Sequence, residues 1–563
     1  MRAWLHQRDG ERSTYALTLE QLQQLWACSD RTARRHLKAF QANGYLQYQP
    51  GRGRGVVSTV RFARSLHEEL QRIIPPLVEA SDADRLSRLI RLPFPRAWVL
   101  TEEVRAIFGL TQAAPGVDRL RTVLTRALGS LDPLLASNTT EAHLLQQVLD
   151  PLLKLNPDTG DVMPHLAHHW QESLDGLSWT FHLRKGVAFH HGRILDAADV
   201  QCSLERTRLG AAWLLPDLKA TEVLGPFMVR LHLNRPDAFL PHRLCDTAAL
   251  IIPRDIAFDP DRLIGTGCFR FAKLGGGIRL SAFDAHFDGR PLIDEVEFWR
   301  VPAETEPTGF QVQGEPEGDL PHWQAEVGVQ FLIWNAHRPS AQDARLRQAV
   351  AELYDVQRYW REIGRDDPLV LAASLYPRRT AQKTLAIRDE DRAAMLLTGR
   401  AEGPSLVLYT LNWPGPQAEA NWLAGRCRSY GLKVEVRGLD LNDMVPPTDA
   451  DMILLGEVAG ADEHLAFLTA LQHPELLFRQ CLPVALLQLI DRHLEEFRTA
   501  RTFGQREAIL DAVEELLLQD DWLVLTYHRV KRRVLHPLIR DVSPDAYGRI
   551  DLKRLWVDRA PSR

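Results

Sequence analysis

Between Arg31 and Arg64 lie eight basic residues, Arg31, Arg34, Arg35, Lys38, Arg52, Arg54, Arg61 and Arg64, with no Asp or Glu among them, in a chain of 563 residues whose formal net charge is -5. A basic island in a mildly acidic chain suits a polyanion, because guanidinium and ammonium groups neutralise phosphates and the Arg fork matches guanine edges. On a helix running over Asp30–Asn43, Ala33, Leu37 and Phe40 recur at i, i+4 and i+7 and share one face, which would pack on Leu19, Leu22 and Leu25. The opposite face presents Arg31, Arg34, Arg35 and Lys38, with Thr32 near the helix start as a further contact. That is the arrangement a recognition helix needs in the major groove of double-stranded DNA.

The elements that must hold this face surround it. A helical run over Thr18–Ala27, a corner at Cys28–Ser29 and the second helix form a helix-turn-helix; Ser29 is placed to cap the second helix, and Gly44 suits the left-handed position that ends it. Tyr45–Gln49 and Val56–Phe62 read as strands around the tip Pro50–Gly55, where glycines let Arg52 and Arg54 approach a phosphate backbone or minor groove. The order predicts a winged helix-turn-helix over residues 1–64, with only Arg2–Gln7 available for its first helix.

The remainder is too long for one core. Residues 65–117 read as a helical connector, with Leu66, Leu70 and Ile73 on one face and breaks at Pro75-Pro76 and Pro93–Pro95. Over 118–563, strand-length apolar runs alternate with amphipathic helices: strand Trp179–Leu183, helix Ala197–Arg208, strand Phe227–Leu233 and helix Gln342–Tyr354. Strand Ser405–Thr410, helix Gln417–Tyr430 and strands Lys433–Arg437 and Asp451–Gly456 follow. This pattern predicts a two-lobed α/β domain with a cleft. Trp334 and Asn335 end an apolar strand before the expected lobe crossover and Trp413 follows another, so these three are the candidate contacts for a polar small molecule.

Composition narrows the function classes. With 45% hydrophobic and 25% charged residues the chain is ordinary for a soluble protein, and its longest apolar stretches, such as Ala248–Pro253 and Trp522–Leu525, are too short to span a bilayer. Met1–Arg8 meets charged residues at once, without the apolar core of a signal peptide, so a cytoplasmic location is expected. The six cysteines are scattered, without a C-x-x-C pair, which favours reduced thiols over a disulfide framework or zinc ribbon. His165, His168 and His169, with His190 and His191 further on, find no carboxylate or thiol at ligand spacing, so they read as surface histidines and no metal is expected. Gly275–Gly277 reads as a hairpin turn rather than a phosphate loop. No G-x-x-x-x-G-K-[ST], H-E-x-x-H or G-x-S-x-G occurs, so neither an enzyme nor a cofactor is indicated.

Particular residues carry a family resemblance. Pro164–Trp170, Leu174–Gly192, Asp196-Ala-Ala-Asp-Val200 and Ser203-Leu-Glu-Arg206 resemble the signature of the oligopeptide and nickel type of solute-binding proteins. Leu131-Asp-Pro133, Ile264-Gly-Thr-Gly267 with Phe269, Leu292–Val296, and Asn335 followed by Arg345–Val350 continue the likeness in order. His191 and Cys268 depart from it, standing where that family usually has Asp and Pro. The resemblance implies two α/β lobes that close on a ligand, and it places His165, His168 and His169 on an exposed helix. Together with Thr18–Leu22, Cys28-Ser29, Gly51–Arg54 and Tyr547–Leu552, the whole chain is similar to the SgrR family of regulators. That likeness implies a DNA-binding transcriptional activator whose effector is a sugar phosphate or related metabolite, with a stress-response small RNA or sugar transport genes as targets. The alternative is a cytoplasmic receptor for a peptide, nickel or a sugar that does not bind DNA. A lone winged helix and a pair joined through the connector both remain open.

Overall fold

The computed structural model describes residues 1–563 except 52–56, 96–97, 100, 106, 125–127, 137, 157–158, 302–321, 326, 401–404, 441–445, 459–461, 534–537, 543–549 and 559–563. The N-terminal elements are α1 (Arg2–Asp9), β1 (Thr14–Leu17), α2 (Leu19–Trp26), α3 (Asp30–Ala42), β2 (Gln47–Gln49) and β3 (Ser58–Arg61). The strands form an antiparallel sheet in the order β1-β3-β2. Strand β1 was not expected; its alternation turns Tyr15 and Leu17 inward and leaves Thr14 and Ala16 exposed. Leu5, Tyr15, Leu17, Leu22, Ala33, Leu37, Leu46, Val60 and Phe62 form the core, with Leu19 and Phe40 packed at its margin. Leu25, expected in this core, is half-buried and is not among the side chains of that cluster.

A second core sits behind it. Helix α4 (Leu66–Glu79) starts at a capping box between Ser65 and Glu68, and α5 (Ala83–Ile90) starts at Asp82, whose carboxylate accepts from the Arg85 amide. The break expected at Pro75-Pro76 does not occur, because α4 runs through both prolines. The carbonyls deprived of a donor belong to Gln71 and Arg72, both exposed to solvent, while Leu66, Leu70, Ile74 and Leu77 anchor the buried side. Ile74 faces inward rather than the expected Ile73, which is exposed. Ala3 of α1, Ala83, Leu86 and Ile90 of α5, and Trp299 and Val301 from far along the chain share this core. Within the stretch read as a helical connector, β4 (Gly109–Ala114) is a strand that pairs with β5 (Val117–Leu124).

These two strands enter a five-stranded sheet in the order Phe269–Lys273, Gly277–Ala282, Glu295–Arg300, β5, β4, in which β5 runs parallel to Glu295–Arg300. A four-stranded antiparallel sheet contains Ala167–Glu172, Ser178–Leu183, Leu218–Gly225 and Met228–Leu233. The segment with His168 and His169 is therefore a strand and not the exposed helix implied by the resemblance. A β-bulge lies between Ala167 and His169. A six-stranded sheet forms the second lobe around Gly328–Trp334, a strand buried along its whole length. There Leu406–Leu411 runs parallel to both Val434–Leu439 and Met452–Val458, with the helix Pro414–Ser429 as the crossover and Gly431 at φ +81° beyond its end. The chain crosses between lobes in the antiparallel ribbon of His322–Ala325 and Val530–Arg533. The four-stranded sheet and the second lobe share one apolar core; the five-stranded sheet has its own, completed by Ile539, Leu552 and Leu555.

Candidate functional site

Helix α3 is held by caps at both ends and by one apolar face. The Ser29 hydroxyl accepts from the Thr32 amide at 3.4 Å and lies 3.1 Å from the Thr32 hydroxyl; Gly44, at φ +71°, follows the last turn. Ahead of it, Thr18 and Gln21 close a capping box on α2, and Ala27 turns the corner at φ +45°. With Ala33 and Leu37 buried, Arg31, Arg34, Arg35 and Lys38 are all exposed. Arg31, Arg35 and Lys38 have no acidic partner among the described residues. Arg34 differs: its Nε donates to Asp30 at 2.9 Å across one helical turn. That pair was missed, although the i, i+4 spacing was visible one residue outside the acid-free window. Thr32 is half-buried and its hydroxyl is engaged with Ser29, so the structure uses it first as part of the cap. Arg52 and Arg54 lie outside the described residues; Ser58 at the wing base accepts from the Gly51 amide at 3.1 Å and sits 3.1 Å from the Tyr48 hydroxyl.

The edge of α3 carries a run of rings that sequence reasoning passed over. Trp26, His36, Phe40 and Tyr45 lie with successive centroids 5.7 to 6.4 Å apart, and Tyr45 is exposed. They brace the long helix against α2 and against the turn that follows it.

The three candidate receptor contacts do not share one environment. Trp334 is fully buried in the second lobe, where its indole N–H has no hydrogen-bond partner among the described residues, so it serves as core rather than as an open wall. Asn335 is also buried, and its amide is spent on the backbone: Nδ2 donates to the Ala450 carbonyl at 3.0 Å and Oδ1 accepts from the His337 amide at 3.1 Å. Trp413 alone is partly exposed, packed at the core margin where the helix Pro414–Ser429 begins.

The histidines also depart from expectation. His165 is buried, and its Nε2 lies 2.7 Å from Asp150, whose other oxygen accepts from the Thr266 hydroxyl at 2.8 Å. The carboxylate absent at sequence spacing thus comes from another element. Burial pushes the Asp150 carboxyl up, but His165 and His286 outweigh this and hold it well below the usual carboxylate range. His190 is buried beside it, donating from Nε2 to the Gly267 carbonyl at 2.8 Å and accepting at Nδ1 from the Gly265 amide at 3.3 Å. Burial, with a smaller contribution from Arg270, lowers its pKa to about 4, and one donor with one acceptor is the pattern of a neutral ring. Gly265 and Gly267 lie against the Val148 backbone, where a Cβ on Gly267 would stand 2.5 Å from the Val148 carbonyl carbon. The Gly-Thr-Gly landmark is thus a clasp between loop and helix end. Among the described residues no group of three or more His, Cys, Asp or Glu is arranged to hold a metal ion, and no helix is long and apolar enough to cross a membrane.

Comparison with known proteins finds two matching family models in separate parts of the chain. Residues 1–103 match the model of the sugar transport-related sRNA regulator N-terminal domain, and residues 161–315 match the middle region of the bacterial extracellular solute-binding proteins, family 5. The chain is 26% identical to the uncharacterized protein YhjP of Bacillus subtilis over 96% of both chains. It is 31% identical to the HTH-type transcriptional regulator SgrR of Yersinia enterocolitica over 61% of this chain and 64% of that one, just under two thirds of the regulator's length. Among solved structures, the dipeptide-binding protein of a Pseudoalteromonas species, in complex with Met-Leu, superposes with a TM-score of 0.67 at 17% identity, covering 78% of this chain and 100% of that one. That likeness establishes the periplasmic-binding-protein fold of the C-terminal part. The matched proteins whose role is named are regulators and binding proteins.

Proposed function

We propose, for a chain that joins the N-terminal domain of the SgrR-type regulators to the middle domain of the family 5 solute-binding proteins, the role of a ligand-responsive DNA-binding transcriptional regulator. The observation that carries this reading is the exposed cationic face of α3, set on a capped helix-turn-helix in the same chain as a solute-binding fold. Arg31, Arg34, Arg35 and Lys38 are assigned to operator phosphates and base edges, Thr32 to the start of that contact, and Arg52 and Arg54 to the wing. In this reading the protein works in the cytoplasm, with 1–64 as the DNA reader, 65–117 as the connector and 118–563 as the sensor. Its effector, by the resemblance, is a sugar phosphate or related metabolite, and its output is activation of a sugar-phosphate stress small RNA or sugar transport genes. Trp413, the one partly exposed member of the three candidates, is the receptor contact we favour. Ligand control requires the effector to bind the DNA-competent and DNA-incompetent states with different affinity.

Arg34→Ala/Arg35→Ala should abolish duplex binding in a fluorescence-anisotropy titration while the thermal melting of the chain stays unchanged. Unaltered DNA affinity would leave a solute receptor without DNA binding as the better reading. A thermal-shift screen of the full chain against sugar phosphates, free sugars, short peptides and nickel identifies the effector class, since a specific ligand stabilises by mass action.

A further inference from the structure

The connector helix α5 and the sensor meet at a joint that turns on a single atom's width. The hairpin between Phe269–Lys273 and Gly277–Ala282 carries Gly275-Gly276-Gly277 at its tip, and that tip lies on α5. None of the three has a positive φ, so no unusual turn conformation demands glycine here. Approach does. A Cβ on Gly276 would stand 2.6 Å from the Ser87 hydroxyl and 2.9 Å from the Asp84 carboxylate, and one on Gly275 would stand 3.0 Å from the same carboxylate and closer still to the Arg88 guanidinium. Asp84 and Arg88 are partly exposed ends of longer side chains and can swing away. Ser87 cannot, because it is fully buried and its hydroxyl donates to the Asp84 carbonyl at 2.9 Å.

The joint has an apolar side and an open side. Leu86 and Ile90 of α5 pack with Trp299 and Val301 of the sensor, and the same core reaches Ala3 of α1 and Leu66, Leu70 and Ile74 of α4. Helix α4 in turn is fixed to the wing side of the reader: the Leu66 amide donates to Glu11 at 2.9 Å, and Arg2 donates to the Arg64 carbonyl and stacks over Phe62 at 4.3 Å. On the other side the hairpin is continuous with the five-stranded sheet, whose strand Glu295–Arg300 is its last before the chain passes to the second lobe. There Glu297 is fixed by Arg121 at 2.9 Å, by Arg279 at 2.8 Å and by the Trp299 indole at 3.0 Å. Beside the close contact, a cavity of about 300 Å³ opens between the start of α5 and this sheet, lined by Asp82, Arg121, Arg279 and Trp299 among others. Close approach at the hairpin tip thus adjoins open volume at the start of α5.

We propose that the contact between Gly276 and Ser87 is the transmission point through which the state of the sensor lobes biases the DNA-binding domain. This rests on the regulator reading above. Coupling is reciprocal, so DNA held by α3 must be felt at α5 and at the glycine hairpin. The test is hydrogen exchange on the full chain, with and without a short mixed-sequence duplex at low salt, for the wild type, Gly276→Ala and Gly276→Ala/Ser87→Ala. In all three proteins DNA should slow exchange over residues 31–38. In the wild type it should also change exchange over 83–90 and 275–280; Gly276→Ala should lose that distant response, and removing the Ser87 hydroxyl should restore it. A wild type in which 31–38 responds while 83–90 and 275–280 stay silent overturns the proposal and leaves the regulator reading standing, whether or not Gly276→Ala folds. A Gly276→Ala protein that keeps the distant response also overturns it. Absence of any footprint over 31–38 overturns the regulator reading, and this inference with it.

Discussion

Arginine is used in opposite ways at the two ends of this molecule. On α3 its side chains stand in solvent and, among the described residues, only Arg34 has an acidic partner, whereas in the C-terminal lobes several arginines are buried and paired with carboxylates. Arg243, 1% exposed, donates to Asp237 at 2.9 Å; Arg379 reaches Asp511 at 2.6 Å; Arg498 is bound to Asp217; Arg121 meets Glu297. Helix α3 leaves its cations open to solvent, while the C-terminal lobes use buried ones to join their own layers: Arg243 also donates to Gln472, from the four-stranded sheet's domain to the second lobe. A cluster of positive side chains points to a binding surface where its summed local charge is left unbalanced.

The contrast can be broken most forcefully in the sensor. Arg243→Ala leaves Asp237 buried without its counter-ion and should cost about 3–5 kcal/mol of stability, read as a large drop in the thermal or urea midpoint. Arg243→Met/Asp237→Asn should recover much of that loss. If the single substitution melts like wild type, the buried pairs are not what joins the layers.

The next largest effect concerns a base that the sensor keeps neutral. Because the folded pKa of His190 is about 4 and its ordinary value is 6.5, the unfolded chain takes up a proton in that interval that the folded chain does not. Stability present above this window is therefore lost as pH falls through it, by about 1.4 kcal/mol per pH unit from this residue. Urea unfolding between those limits should show His190→Gln with a shallower acid slope than wild type.

The smallest effect sharpens the comparison at α3. Asp30→Asn releases Arg34 and removes an acid beside the phosphate path, so duplex affinity should rise by about two- to fivefold and the salt dependence should steepen by up to about one phosphate contact. An unchanged salt slope would mean that Arg34 already reaches DNA while paired.

Much of this was legible in the sequence, for identifiable reasons. The reader's helices, caps and outward face follow from period, corner and cap residues that act within a few positions of one another, so Ser29, Gly44 and the Arg31–Lys38 face could be placed without tertiary information. Strand β1 could not, since a four-residue segment becomes a strand only because β3 lies beside it. Pro75 and Pro76 misled for a related reason: local propensity forbids a helix there, but the core behind α4 overrides it. In the sensor, the α/β alternation and the parallel strand pair were readable. The fate of Trp334, Asn335 and His165 was not, because each is decided by partners such as Ala450 and Asp150 that lie far away in the chain.

The first lobe's core is completed by Ile539, Leu552 and Leu555, far along the chain from the rest of it, whereas the buried side chains described in the N-terminal core all lie between Leu5 and Phe62. Domains fold as they emerge. Under the proposed function, a chain emerging from its N-terminus would display a packed DNA-binding face while the first lobe still lacked the side chains that complete its core.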